Sequence, residues 1–271
     1  MNTIEAIESR HSVRTFSPMP VAPLDIRKIA DSLSPALLPI NGRVAACVRR
    51  FESKGSLSPG TYGTISGAEY YILLATDGSV ESLMAGGFLA EGAVLTATAL
   101  GLGTCWIAGT LRKSDFDVVE WPDGLTLTAI IAVGWPAEKK RVRDSMTRWF
   151  LRSHNRKPFG KMFFYSNFDT PLESAGIISD ALSMMRLAPS SKNSQPWRAL
   201  VVDGTVHFYC LEPDLVYVLD SGIGLRHFSD IMVAEGWQGC FYKDTSAPQK
   251  TGLRYLISYR LPSSTAPAAS I

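Results

Sequence analysis

Leu187-Ala188-Pro189-Ser190-Ser191-Lys192-Asn193-Ser194-Gln195-Pro196-Trp197 is the stretch whose reading decides the fold. Two prolines bracket a run of hydroxyl and amide side chains. Proline fixes its own φ, and Ser and Asn favour turns because their side chains hydrogen-bond nearby backbone. The stretch is expected to be a turn that presents polar groups outward, with Trp197 beside it as a lid or wall. A second cluster of donors stands far upstream: Ser9-Arg10-His11-Ser12-Val13-Arg14-Thr15-Phe16, just past an amphipathic helix carrying Ile4 and Ile7. Taken alone, that cluster is an ordinary solvated helix end. Most of the chain separates the two segments, so a common site requires the two halves of the chain to meet.

Outward from these segments, apolar periodicity predicts an alternation of helices and strands. In the first half a helix follows Pro23, buried strands cover 69–76 and 126–135, and a long apolar helix covers 81–100. In the second half helices are expected at 173–186 and 224–235, and strands at 200–203, 206–211 and 253–260. Residues 34–67, dense in Pro and Gly, read as an irregular excursion. Within it, 40–66 carries Arg43, Arg49, Arg50, Phe51 and Tyr62 and is a candidate cover for a site. An internal repeat links the halves. Gly86-Gly87-Phe88 opens a segment closed by Ala99-Leu100-Gly101, and Ser221-Gly222-Ile223 opens one closed by Ala234-Glu235-Gly236. The spacing from Gly87 to Gly101 and from Gly222 to Gly236 is 14 in both cases. Each long helix follows a strand, and each half has an upstream proline turn, Ser34-Pro35-Ala36 and Ala188-Pro189-Ser190. The expectation is an α+β fold of two fused, half-similar domains, 1–141 and 171–271, joined by a basic link at 142–170.

Bulk properties narrow the function classes. The chain has 271 residues, of which 46% are hydrophobic and 19% charged, as in ordinary globular proteins. A net charge of +2 does not call for nucleic acid or an anionic membrane. The basic link interleaves cations with Trp149, Phe150, Phe159, Phe163 and Phe164, a pattern that also occurs in nucleic-acid binders, but the near-neutral total disfavours that use. Cys47, Cys105, Cys210 and Cys240 form no CxxC pair and no metal-ligand grouping, so free thiols, no metal and a reducing cytoplasm are expected. From Leu83 to Gly109 the only charge is Glu91. That carboxylate near the middle favours a buried core helix over a membrane span.

Two further pieces complete a pattern. Gly101-Leu102-Gly103-Thr104-Cys105-Trp106-Ile107-Ala108-Gly109 offers small residues that let main chain approach a flat ring closely. Val133-Gly134-Trp135-Pro136-Ala137-Glu138-Lys139-Lys140-Arg141 ends a strand in a run of cations. Together with Arg10-His11-Ser12-x-Arg14 and Pro189-Ser190-Ser191-x-Asn193-x-Gln195, these pieces resemble the flavin-binding signature of the nitroreductase family of FMN-dependent oxidoreductases. Within that family the chain is similar to a single-chain, duplicated "putative nitroreductase" group. The resemblance covers 4–141 and 173–260.

The resemblance implies a nitroreductase-like fold in which one chain forms an intramolecular pseudo-dimer. It also implies FMN contacts from Arg10, His11, Ser12, Arg14, Trp106, Ile107, Ala108, Gly109 and either Lys140 or Arg141 in the first half. Pro189, Ser190, Ser191, Asn193 and Gln195 are the contacts it implies in the second. It further implies NADH or NADPH as reductant, ping-pong hydride transfer, and a nitroaromatic or quinone-like acceptor, with no side-chain acid or base required. The equivalent second site has lost both its parts: 174–178 has no Arg-His-Ser-x-Arg, and Ser34-Pro35-Ala36-Leu37-Leu38 replaces the polar turn. One FMN per chain follows. A monomer suffices, and a homodimer stays open. An FMN-binding or sensing protein without turnover is the alternative.

Overall fold

The computed structural model describes residues 1–51, 61, 63–108, 111–117, 119–137, 155–174 and 176–261. The first half holds α1 (Thr3–Ser9), α2 (Pro23–Asp31), β1 (Val44–Arg50), β2 (Tyr70–Thr76), α3 (Val80–Ala99), β3 (Gly103–Ile107) and β4 (Thr126–Gly134). The second holds β5 (Phe163–Tyr165), α4 (Ile177–Met185), β6 (Trp197–Val202), β7 (Thr205–Leu211), α5 (Val216–Ala234), β8 (Cys240–Tyr242) and β9 (Leu253–Arg260). The first sheet runs β1-β2-β4-β3, antiparallel throughout. The second runs β5-β6-β7-β9-β8. Apart from β5, which joins β6 in parallel, it repeats the same antiparallel order. The halves thus share one topology, with β1, β2, α3, β3 and β4 matched by β6, β7, α5, β8 and β9.

The two long helices show the match in atomic detail. Each ends on a left-handed glycine, Gly101 at φ 81° and Gly236 at φ 78°. In each, the next amide reaches back five residues, Leu102 N to Ala97 O at 2.9 Å and Trp237 N to Met232 O at 2.8 Å. This glycine-capped closure satisfies carbonyls that a helix end otherwise leaves orphaned. Where α3 and α5 cross, a Cβ on Gly87 would overlap the Leu219 carbonyl oxygen, and one on Gly222 would overlap the Met84 carbonyl oxygen. Met84 and Leu219 each lie three residues before the glycine of their own helix. The contact is therefore reciprocal, as at a two-fold axis.

α3 is apolar on all sides, and 89% of its most apolar stretch is buried inside the protein. It is long and apolar enough to cross a membrane, yet here it is the central core helix. One apolar cluster spans both halves, joining Ile7, Met84 and Phe88 to Met185, Trp197, Phe208, Ile223 and Phe228.

Several sequence expectations are corrected. The excursion at 34–67 contains β1, whose Val44, Ala46 and Val48 pack on the core while Arg49 and Arg50 are exposed. Flanking Pro and Gly concealed that alternation. Of the proposed cover, Arg43 donates to Asp123 O at 2.6 Å, and Phe51 packs edge-on against Phe116 at 4.8 Å between ring centroids. Both are fastened to the first half's own sheet, while 52–60 and Tyr62 lie outside the described residues. α5 starts at Val216, not 224, because Tyr217 and Val218 pack on the core despite modest helix propensity. Trp197 is no lid: it is fully buried in the shared core. Phe163, read as a possible nucleic-acid contact in the link, is likewise fully buried and stacks on Phe159 at 4.7 Å.

Gly87→Ala and Gly222→Ala should each cost about 2–3 kcal/mol, because the added methyl meets backbone that no rotamer change can move. Urea unfolding midpoints check this. Gly204→Ala, at a turn where a Cβ meets nothing within 4 Å, should cost only the left-handed penalty of about 1 kcal/mol.

Candidate functional site

The first motif leaves α1 as an extended strap. α1 is closed by a capping box, Glu5 N to Asn2 Oδ1 at 2.8 Å and Asn2 N to Glu5 Oε2 at 2.9 Å. The strap is then laced to the other two first-half pieces. Val13 N donates to Thr104 O at 2.8 Å, Ser17 N to Trp135 O at 2.8 Å, and Ala137 N to Thr15 O at 3.0 Å. A Cβ on Gly103 would lie 2.6 Å from a Val13 methyl, so glycine is what lets strap and β3 close. Ser12 and Arg14 are half-buried, while His11 is exposed and its Nδ1 contacts only Ser9 O, at 3.1 Å. Ile107 packs in the core and Ala108 is half-buried. Gly109, Lys140 and Arg141 lie outside the described residues.

Arg10 turns inward, its side chain 6% exposed, with Nε 4.0 Å from Glu91 Oε1. Burial pulls its pKa down from the usual guanidinium value, and Glu91 opposes that. Glu91 itself is fully buried on α3. It accepts from Trp106 Nε1 at 2.7 Å and meets His227 Nε2, from α5, at 2.9 Å. His227 Nδ1 lies 3.2 Å from Met184 O, a carbonyl that can only accept, so Nδ1 carries a hydrogen. One polar knot thus ties β3, α3, α5 and the strap together. The repeat places the knot on one side only. Four and five residues past the crossing glycines stand Glu91 and Gly92 on α3, Arg226 and His227 on α5. Glu91 faces His227, whereas Arg226 packs onto Gly92, where a Cβ would overlap its guanidinium.

The second motif is a tight turn. Lys192, Asn193 and Gln195 all adopt left-handed φ, at 51°, 56° and 46°. Such backbone costs roughly 1–2 kcal/mol for a non-glycine residue and persists only where surroundings enforce it. Three supports do so. Ser190 Oγ accepts Gln195 N at 2.9 Å. Asp220 on α5 accepts Ser191 N at 2.9 Å. The third is the end of the basic link. Arg156 donates to Asn193 Oδ1 at 2.6 Å and to Leu187 O at 2.8 Å, Lys157 N donates to Gln195 Oε1 at 2.8 Å, and Lys157 Nζ to Ser194 O at 2.6 Å. Asn193 and Gln195 in turn donate to Asn155 O at 2.8 and 3.2 Å. Gln195 is 2% exposed, and its amide fastens the turn to the link. Pro189, Ser190 and Ser191 remain half-buried.

The two motifs approach one another: Arg10 lies beside Glu91, Glu91 meets His227, and His227 contacts Met184 O at the end of the helix that leads into the turn. The Arg156 pKa is pushed down to about 10, by burial first and then by the charges of Arg10 and Arg186. Burial lowers Arg14, Lys157 and Arg198 as well. Buried and with no hydrogen-bond partner among the described residues, Arg10 Nε and Arg186 Nε are open donors. A junction rich in cations, with open donors, suits an anionic group. Arg156, Lys157, Arg186 and His227 were not among the sequence candidates. The dense cations of the link were the visible signal for the first two, while His227 on an apolar helix gave none.

Asp220 is 4% exposed and its carboxyl is raised to about 7, chiefly by burial. An acid raised in the folded state contributes most stability below its unfolded value near 3.8 and loses it as pH climbs to about 7. Asp220→Asn should remove that slope, making the variant more stable at pH 8 by about 2–4 kcal/mol, with the gap closing towards pH 4. Urea titrations across pH measure it. Glu91→Ala should cost about 3–5 kcal/mol by stranding Trp106, His227 and Arg10, read as a lowered unfolding midpoint.

Comparison with known proteins agrees with this architecture. No curated protein matches the chain. A crystal structure titled that of a "putative nitroreductase" from Thermotoga maritima is 23% identical, with 96% of this chain and 94% of that one covered at a TM-score of 0.60, so the fold is shared. A "putative nitroreductase" from Desulfovibrio desulfuricans in complex with FMN is 24% identical over 54% of this chain and 94% of its own, at a TM-score of 0.42. An FMN-dependent nitroreductase from Clostridium difficile is 20% identical over 53% and 93%, at 0.40. The family described as "Putative TM nitroreductase" matches residues 2–231, a span that takes in the strap, both crossing glycines and the polar turn, and the chain belongs to that family.

Proposed function

We propose that the protein is an FMN-dependent oxidoreductase that takes electrons from NADH or NADPH and passes them to nitroaromatic or quinone-like acceptors. One observation carries the reading. In a chain of this family, the strap with Arg10 and the turn 189–195 converge on a cation-rich junction where two buried guanidinium donors, Arg10 Nε and Arg186 Nε, have no partner among the described residues.

The residues fit the cofactor. A phosphate monoester needs guanidinium and hydroxyl donors, which Arg10, Ser12 and Arg14 supply from the first half and Ser190 and Ser191 from the second. Bound FMN supplies the redox chemistry, alternating between acceptance of a hydride and its delivery. The protein's part is to bind and orient. The strap and β3, held together by backbone hydrogen bonds, form one wall. The turn, held left-handed by Asp220 and the link, forms the opposing one. Buried cations stabilise negative charge more than solvated ones do.

Because the halves share a topology but only one Arg-His-Ser strap and one polar turn exist, we infer a duplicated subunit that kept a single site. Such a chain needs no second copy to complete it.

Purified protein should carry flavin absorbance that bleaches with NADH or NADPH and recovers with a nitroarene or quinone, with parallel double-reciprocal plots. Released flavin should amount to one FMN per chain. Two per chain would refute the single-site reading. Bound flavin without nicotinamide oxidation would convert the assignment to a binding or sensing protein.

A further inference from the structure

The cations behind the turn outnumber the carboxylates that reach them. Arg156 spends its guanidinium on two neutral acceptors, Asn193 Oδ1 and Leu187 O. Arg186 donates Nη1 to Lys157 O at 3.3 Å, and its buried Nε has no partner among the described residues. Among the described residues none of the ion pairs involves Arg156, Arg186 or Lys157. The nearest carboxylate in the cluster, Glu91, is 4.0 Å from Arg10 and already bound to His227 and Trp106. Asp220 is bound to the Ser191 amide, with its proton affinity raised by burial. Cations crowded together and partly desolvated are unfavourable unless an anion joins them. Arg10, Arg156 and Arg186 come from three separate elements: the N-terminal strap, the end of the link and the residue after α4. Chance crowding of three guanidinium groups from distant parts of the chain would be costly, and two of them still hold an open donor.

We propose that Arg156 and Arg186, together with Arg10, form the pocket for the flavin's phosphate monoester, so that the link and the second half take part in phosphate recognition. This rests on the FMN assignment above. It adds two residues to the binding set and gives the link a task beyond joining the halves: it delivers a guanidinium to the junction and at the same time pins the turn through Asn193 and Gln195. Planar guanidinium groups suit this role because they bind phosphate oxygens in pairs.

The test compares FMN with riboflavin, which lacks the phosphate, using the full chain stripped of flavin and fluorescence quenching to obtain Kd. Wild type should bind FMN more tightly than riboflavin. Arg186→Gln should weaken FMN roughly 10- to 100-fold, the usual cost of losing a charge-assisted contact, and leave riboflavin affinity nearly unchanged, whereas Arg156→Gln, which also loosens the turn, should weaken both flavins and FMN by the larger factor. Arg156→Lys should retain part of the preference. Inorganic phosphate should raise the thermal unfolding temperature of wild type, and that shift should shrink in both Gln variants. Equal losses for the two flavins would mean the arginines are merely structural and would overturn the proposal, as would FMN binding that neither variant changes. Wild type binding neither flavin would instead refute the FMN assignment, and phosphate stabilisation lost in the variants would then still support the anion pocket.

Discussion

The crossing of α3 and α5 admits no side chain at its centre. Gly87 and Gly222 bring backbone against backbone, each against a carbonyl of the other helix. That contact leaves little freedom in how the halves sit, because peptide groups cannot change rotamer. Both sides of the candidate site hang from these helices close to the crossing. Asp220, two residues before Gly222, holds the polar turn through Ser191. Glu91, four residues after Gly87, holds Trp106 directly and stands beside Arg10. A shift of one helix along the other would part the strap from the turn.

The symmetry is kept where packing demands it and lost where chemistry is concentrated. Strand order, helix closure and the glycine contact are the same in both halves. The polar positions next to the crossing are not: a Glu–His contact stands on the side that also carries Arg10, and an Arg packed on glycine stands on the other. In a symmetric pair of subunits any change in sequence appears twice. A fused chain can place a carboxylate on one side and a guanidinium on the other, which is how a single asymmetric cation cluster arises between two similar halves.

Much of the fold was legible from local pattern. The long helices, the central strands and the glycine repeat follow from runs of apolar residues and from glycines at fixed spacing, both of which report local conformation. The misses have local causes. β1 is a partly exposed strand ending in Arg49 and Arg50, and it hides between proline and glycine clusters. β8 has only three residues. β3 opens on Gly103, which reads as part of a turn and lies tightly against Val13 of the strap. Trp197 looked like a wall because its neighbours in sequence are polar, yet it begins a core strand.

The resemblance of the two donor-rich segments to a family signature implied that they share a site, and the sequence by itself showed that the halves repeat and that the second copy of each segment is missing. These are statements about residue types and spacing, and they need no coordinates. The tertiary structure alone decided which cations gather at the junction. Arg186 follows an ordinary amphipathic helix, Arg156 ends a basic stretch that looks solvated, and His227 lies on an apolar helix. Their roles come from long-range placement, through burial and the charges of residues distant in the chain. Desolvation and Coulomb interaction depend on distance in space, and spacing along the chain carries almost none of that information.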